Sequence, residues 1–201
     1  LFKVMCDQKN ISPNIYTATS VFNTLVDLGD VNTIMELLPI IERSKLVLAP
    51  RIYLGIIKEL SQQGYSTYAL ALNSHIETMQ VFNAFVATSL AHLLSKHQFY
   101  EEAICLLDKI PFEQRDIAVW TMMISTYCQA TKYDDALNLY ELMKQLGIYP
   151  NEKTYAVIIS ACAESGRIDL GKKVHSEVPS GLMNEYIQAS LMKMYGRFNM
   201  L

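Results

Sequence analysis

Residues 117–151 read IAVWTMMISTYCQATKYDDALNLYELMKQLGIYPN, and this stretch decides the fold. In its first half the apolar residues are spaced i, i+3, i+4 and i+7, which is one face of an amphipathic helix. These residues are Trp120, Met123, Ile124 and Tyr127. After a polar break at 129–132, a second helical face follows, made of Ala136, Leu139, Tyr140 and Met143. The stretch therefore predicts two helices joined by a short turn.

Local signals mark the beginning and the end of the second helix. Asp134 and Asp135 fall in its first turn, where the helix dipole favours carboxylates. Gly147 is placed to end the helix in a left-handed conformation, and Pro150 prevents its continuation.

The same pattern recurs along the chain with a period of 33 to 35 residues. One column holds small residues: Ala69, Ala103, Ala136 and Gly171. Three residues later a second column is apolar: Leu37, Leu72, Leu106, Leu139 and Val174. A period of this length is typical of repeats that bury their apolar faces on their neighbours. We therefore predict an all-α, right-handed α-solenoid of stacked helix–turn–helix repeats, with Ile34 as a departure from the small-residue column.

The period divides the chain into one repeat array over 1–201. The predicted repeats are 15–49, 50–83, 84–116, 117–151 and 152–184. Residues 1–14 are expected to end an earlier repeat, and 185–201 to supply the first helix of a later one. Because the chain begins at Leu1 rather than Met, we expect a fragment whose targeting segment lies outside it.

Composition excludes several classes of protein. The chain has 201 residues, of which 51% are hydrophobic and 18% charged, so it has enough apolar surface to fold. Its net charge of −3 argues against nucleic-acid binding by bulk charge alone. The longest uncharged stretch, 78–95, contains seven polar residues, so we expect no transmembrane helix and no membrane partner. The cysteines have no paired spacing and are interpreted as reduced core thiols of an intracellular protein: Cys6, Cys105, Cys128 and Cys162.

Several segments resemble the pentatricopeptide repeat. They are AVWTMMISTYC at 118–128, YDDALNLYELM at 133–143 and GIYPN at 147–151. The next repeat, with KTYAVIISACA at 153–163 and GKKVH at 171–175, resembles the long type of the mixed-length subfamily of plants and some protists. Residues 50–83 match poorly. The tetratricopeptide repeat fits less well, because Trp120 is not followed by its Leu-Gly and Tyr signature.

The resemblance implies a sequence-specific single-stranded RNA-binding array that contacts about one base per repeat. Carrying the family's base-contacting positions onto this chain gives two complete pairs, Thr88 with Asp116 and Thr121 with Asn151. Three pairs are weaker: Thr19 with Ala49, Leu54 with Asn83, and Ala156 with Asn184. The family's pairing rule assigns consecutive G and A to the two complete pairs, in the 5′ to 3′ direction.

The chemistry of these residues agrees with that rule. An ionised Asp only accepts hydrogen bonds and suits the N–H groups of guanine, whereas Asn both donates and accepts, which suits adenine. The resemblance also places Tyr16, Arg51 and Phe85 where bases stack, and Lys96 where a phosphate is contacted. The competing interpretation makes the polar residues helix caps and the aromatic residues core.

No catalytic site emerges from the sequence. His75-Ile76-Glu77 matches half of the zinc deaminase signature, but Pro-Cys-x-x-Cys is absent. His92 and His97 are five residues apart and lack a carboxylate at ligand spacing. We therefore expect no enzyme, cofactor, metal or small-molecule substrate within this chain.

Two further functions remain open alongside organellar RNA processing or C-to-U editing in a mitochondrion or plastid. One is a protein-binding helical scaffold without RNA contact, and the other is an architectural part of a larger organellar RNA machine with other RNA-processing proteins. Cations along the first helices favour RNA, whereas an apolar or acidic lining favours a protein partner.

Overall fold

The computed structural model describes residues 14–80 and 83–198. These ranges contain eleven α-helices, two short 3-10 helices and no strand. The first helices of successive pairs are α1 (Ile15–Asp27), α3 (Pro50–Gln63), α5 (Ala84–Lys96), α7 (Ile117–Gln129), α9 (Glu152–Ser165) and α11 (Glu185–Arg197). The second helices are α2 (Val31–Arg43), α4 (Ser66–Thr78), α6 (Tyr100–Asp108), α8 (Tyr133–Gln145) and α10 (Ile168–Glu177). The 3-10 helices are Phe112–Gln114 and Ser180–Leu182.

The chain divides into two compact units, 1–99 and 100–201. In the first unit α1, α3 and α5 pack in succession, and α2 packs on α4. In the second unit α7, α9 and α11 pack in succession, and α8 lies against both α7 and α9. Within each unit, first helices therefore pack on first helices, and the predicted class of stacked helix pairs is confirmed.

Each first helix begins at the residue where a repeat was predicted to start. The reason is local, because a short polar side chain caps most of these helices. Asn14, Asn83, Asp116, Asn151 and Asn184 all cap the helix that follows them. The parts of the predicted array at 1–13, 81–82 and 199–201 lie outside the described residues.

The small-residue column lies in the core. Ala69, Ala103 and Ala136 are fully buried, and a Cβ added to Gly171 would collide with Met194 Sδ. Ile34 is fully buried as well, so the core of the first unit accepts a larger side chain at that position. The close contact between α10 and α11 at Gly171 therefore depends on glycine having no side chain.

Helix C-termini repeatedly use a left-handed residue. Gly147, expected to end α8 in this way, has φ 73°, and Gly166 after α9 has φ 77°. Thr131 takes the same conformation after α7, with φ 59°. A β-branched residue is strained there, because its Cβ approaches the backbone.

The prediction that the cysteines are core thiols is wrong for Cys105. Cys162 is buried and Cys128 partly buried, and burial raises the pKa of their thiols to about 11 and about 12. Cys105 is exposed on α6, between the buried Ile104 and Leu106. Cys6 lies outside the described residues. None of the described helices is both long and apolar enough to cross a bilayer.

Candidate functional site

Aromatic side chains project from the second residue of several first helices. The exposed fraction is 82% for Tyr16, 70% for Phe85 and 77% for Tyr186. Arg51 occupies the same position in α3 and is also exposed. The alternative that Tyr16 and Phe85 belong to the core is therefore wrong. The sequence analysis missed Tyr186, although the period that places α11 would have found it.

The last residue of each predicted repeat caps the next first helix. Asp116 Oδ1 accepts from the backbone N–H groups of Ala118 and Val119, at 2.9 and 3.0 Å. Asn83 Oδ1 likewise accepts from Phe85 and Val86. The competing interpretation of these residues as helix caps is thus confirmed, and each cap uses only Oδ1. The second polar atom, Oδ2 of Asp or Nδ2 of Asn, makes no such bond.

Thr88 and Thr121, the fifth residues of α5 and α7, each place the hydroxyl hydrogen in a bond within the protein. Thr88 Oγ1 donates to Ala84 O at 2.7 Å, and Thr121 Oγ1 lies 2.7 Å from Ile117 O. A hydroxyl that has placed its hydrogen in this way still accepts through its free lone pair. Thr88 and Thr121 are therefore hydrogen-bond acceptors toward the outside.

One predicted pair is brought together within the second unit. Asn151 Oδ1 accepts from Thr154 N at 2.9 Å and lies 3.0 Å from Thr154 Oγ1. Thr154 Oγ1 is in turn 2.8 Å from Thr121 Oγ1. The buried Thr154 hydroxyl thus links Thr121 of α7 to Asn151 at the start of α9. The sequence analysis missed Thr154, because its sequence position alone does not show which side chains meet it.

The remaining predicted pairs are not linked in this way. Thr88 belongs to the first compact unit and Asp116 to the second, so their pairing stays a prediction. Ala49 offers no side-chain cap, and α3 begins with Pro50 instead. The side chains of Leu54 and Ala156 carry no hydrogen-bonding group. Asn184 caps α11 through Ile187 N at 3.0 Å, and Thr19 is half-buried on α1.

Lys96 is exposed but engaged. Its Nζ donates to Ser61 O at 2.9 Å and lies 3.4 Å from Ser61 Oγ, near the C-terminal end of α3. A lysine in this position satisfies a late helix carbonyl and complements the helix dipole. The structure therefore gives Lys96 a helix-capping contact at the position predicted to meet phosphate.

Charge is distributed unequally between the two kinds of helix. The six first helices together carry six Lys and Arg and five Asp and Glu. The five second helices carry four Lys and Arg and eleven Asp and Glu. The excess of acidic residues thus lies on the second helices. On the first helices Arg51, Lys58 and Lys153 are exposed and form no ion pair within the described ranges.

His75, the histidine of the half signature of a zinc deaminase, is buried and hydrogen-bonded through both ring nitrogens. His75 Nδ1 is 2.7 Å from Glu42 Oε1, and His75 Nε2 is 3.2 Å from Tyr53 Oη. Burial lowers the pKa of His75, although Glu42 opposes this, and burial raises the pKa of Tyr53 to about 12. Both ring nitrogens are occupied by protein partners. Across 14–80 and 83–198, the His, Cys, Asp and Glu side chains form no metal-binding group of three or more.

Comparison with known proteins identifies the repeats. Residues 115–164 match the model of the PPR repeat family, and 153–180 match a second model described as PPR repeat. A pentatricopeptide repeat-containing protein of Arabidopsis thaliana is 31% identical over 128 residues, which is 63% of this chain and 18% of the relative. Another from Arabidopsis thaliana, named chloroplastic, is 26% identical over 92% of this chain and 30% of the relative.

Solved structures show the same fold. The crystal structure of the pentatricopeptide repeat protein PPR10 in complex with an 18-nucleotide psaJ RNA element superposes with a TM-score of 0.72 at 18% identity. The similarity covers 89% of this chain and 27% of that chain. PPR10 from maize superposes with a TM-score of 0.57 at 20% identity, over 91% of this chain and 27% of that chain.

Proposed function

We propose that this chain, which belongs to the pentatricopeptide repeat proteins, binds single-stranded RNA through the exposed side chains of its first helices. The linked pair of Thr121 and Asn151 is the observation that carries the proposal. A buried bridge between two polar groups that both keep a free hydrogen-bonding atom is suited to the edge of a base.

The free atoms of this pair complement adenine. Thr121 Oγ1 offers a lone pair, because its hydrogen is held by Ile117 O or Thr154 Oγ1. Asn151 Nδ2 offers N–H donors, because Oδ1 faces Thr154. Adenine presents an N6 amino donor beside the N1 acceptor, so both of its edge groups find partners. Cytosine has a similar donor and acceptor, and the family's pairing rule selects adenine between the two.

Asp116 extends the proposal to a neighbouring base. Its Oδ1 is committed to the helix cap, which leaves Oδ2 as an acceptor. Such an acceptor suits the N–H groups of guanine, and the pairing of Asp116 with Thr88 follows from the family's pairing rule. We therefore propose G followed by A in the 5′ to 3′ direction. The weaker pairs involving Thr19, Asn83 and Asn184 contribute little discrimination.

Exposed aromatic side chains supply contacts that do not depend on sequence. Tyr16, Phe85 and Tyr186 present open ring surfaces, and base stacking on such rings is worth about 1–3 kcal/mol per base. Arg51 adds a planar cation at the equivalent position. The unpaired cations Lys58 and Lys153 on the first helices support RNA rather than protein as the partner.

We further propose that the protein acts in organellar RNA processing, with C-to-U editing as one form, alongside other RNA-processing proteins. The resemblance of residues 152–184 to the long repeat of the mixed-length subfamily and the chloroplastic names of two relatives support a mitochondrial or plastid setting. The chain spans 18% of the length of the first of these relatives.

A binding assay tests the RNA proposal. The chain is titrated at low salt against an oligouridine carrying one G-A step, the same strand with C-C in its place, and a duplex of the first strand. Preferential binding to the single strand with G-A is expected. Equal, background-level signals for all three probes would overturn the proposal in favour of the protein-binding scaffold.

A further inference from the structure

We propose that Thr154 is a positioning residue for base recognition. Its hydroxyl holds Thr121 as a hydrogen-bond acceptor and Asn151 as a hydrogen-bond donor toward the same base. The inference rests on the proposed RNA binding and names how one site acquires its specificity. Thr154 itself is fully buried and contacts no base. It acts through its two neighbours.

The geometry places the Thr154 hydroxyl between groups from two different helices. Its Oγ1 is 2.8 Å from Thr121 Oγ1 and 3.0 Å from Asn151 Oδ1. Thr154 N lies 2.9 Å from the same Asn151 oxygen. All three distances are within the range of ordinary hydrogen bonds. A single side chain therefore fixes the relative positions of two groups that are 30 residues apart in sequence.

The contact with Thr154 keeps the hydroxyl hydrogen of Thr121 inside the protein. This hydrogen has two acceptors within reach, Ile117 O at 2.7 Å and Thr154 Oγ1 at 2.8 Å. With either acceptor the hydrogen stays inside the protein. Thr121 therefore meets a base with a lone pair only, whichever way the hydroxyls are arranged.

The same contact fixes the amide of Asn151. Two groups of Thr154, N–H and O–H, lie next to Oδ1. Rotating the amide by half a turn would set its NH2 group against the backbone N–H, which is unfavourable because two donors would face each other. The Nδ2 donor is therefore directed away from Thr154 and remains available.

The other repeats of the second unit lack this bridge. Val119 and Ile187 occupy the position equivalent to Thr154 in α7 and α11, and neither carries a hydroxyl. Asn184 caps α11 through the backbone N–H of Ile187. In the first unit Thr17 contacts Asn14 in the same manner, with Oγ1 3.2 Å from Asn14 Oδ1. The bridge to a neighbouring first helix is thus particular to the Thr121–Asn151 pair among the described repeats of the second unit.

Substitution of Thr154 tests the inference. Thr154→Val removes the hydroxyl and keeps the shape of the side chain, and Thr154→Ser keeps the hydroxyl. Thr126→Val, which removes another buried hydroxyl, on α7, is the matched control. Affinities are measured for oligouridine carrying G-A, G-G, G-C or G-U. We expect Thr154→Val to lower the preference for G-A over G-G about threefold to tenfold, the effect of one net hydrogen bond. Thr154→Ser and Thr126→Val should preserve the preference.

A second measurement needs no RNA. The Asn151 side-chain amide is followed by NMR in the free protein, with its signals assigned from their loss in Asn151→Asp. We expect a rigid amide in the wild type and a more mobile one in Thr154→Val. An unchanged amide together with an unchanged base preference in folded Thr154→Val would overturn the inference. Absence of RNA binding by the wild type would instead overturn the proposed function, and the amide measurement would still decide the role of Thr154.

Discussion

Asparagine and aspartate at the ends of the repeats have two polar atoms, and the helix cap uses one of them. Asp116 Oδ1 and Asn151 Oδ1 satisfy backbone N–H groups that a helix N-terminus would otherwise leave unpaired. The sequence analysis treated capping and base contact as alternatives. The geometry makes them compatible, because Asp116 Oδ2 and Asn151 Nδ2 lie outside the cap. The cap occupies Asn151 Oδ1, so Asn151 offers a base only the Nδ2 donor, whereas the sequence analysis had given asparagine both a donor and an acceptor.

The stability of the protein should depend on pH through His75. Burial lowers its pKa below the ordinary 6.5, so the unfolded chain binds the proton more readily than the folded one. The free energy of unfolding therefore falls as pH drops from about 6.5 through the lower folded pKa. Urea unfolding at a series of pH values should show a steeper loss for the wild type than for His75→Gln, which keeps polar atoms but does not titrate. Parallel pH curves for the two proteins would contradict this assignment.

At the scale of the helix, most boundaries follow from short-range chemistry. The polar caps at Asn83, Asp116 and Asn151 and the glycine at 147 are local signals, so periodicity and capping rules locate these helices from sequence. Contacts made across helices are different. The link between Thr121 and Thr154 depends on how α7 packs on α9, which the pattern of apolar residues does not specify. Cys105 lies on the exposed face of α6, between the buried Ile104 and Leu106, although its residue type favoured the core.

The backbone conformation of Thr131 should lower the stability of the protein. Thr131 ends α7 with φ 59°, a conformation that glycine adopts at the equivalent ends of α8 and α9. Thr131→Gly should raise the free energy of unfolding by about 1 kcal/mol, because it relieves the left-handed strain. The reverse change, Gly147→Thr, should lower it by a similar amount. Urea unfolding measures both, and a loss of stability in Thr131→Gly would refute the strain argument.

For the molecule as a whole, the net charge of −3 is distributed unequally between the first and second helices. The second helices carry the excess of acidic residues, while the first helices are close to neutral with several unpaired cations. Overall composition gives only the sum of the charges, so the net charge argued against nucleic-acid binding by bulk charge alone. Once each charge is assigned to its helix, the first helices no longer argue against RNA binding. This assignment requires the positions of the repeats along the chain.

The salt dependence of RNA binding should reflect this modest number of cations. Each phosphate contact to a single strand contributes about −0.7 to the slope of log K against log salt. Three unpaired cations, Arg51, Lys58 and Lys153, predict a slope of about −2. The slope is obtained from titrations across a range of salt concentrations, with Lys153→Gln expected to make it shallower by about 0.7. A slope near zero would contradict phosphate contact by these residues.

The most direct test of the central claim is the base preference of Asn151→Asp. Aspartate caps a helix as well as asparagine does, so α9 should remain intact. The substitution replaces the free Nδ2 donor with an acceptor oxygen, which leaves two acceptors with Thr121. The account predicts that binding to oligouridine shifts from preferring G-A to preferring G-G. A folded variant that keeps the preference for G-A, or a wild type with no preference between the two strands, would contradict it.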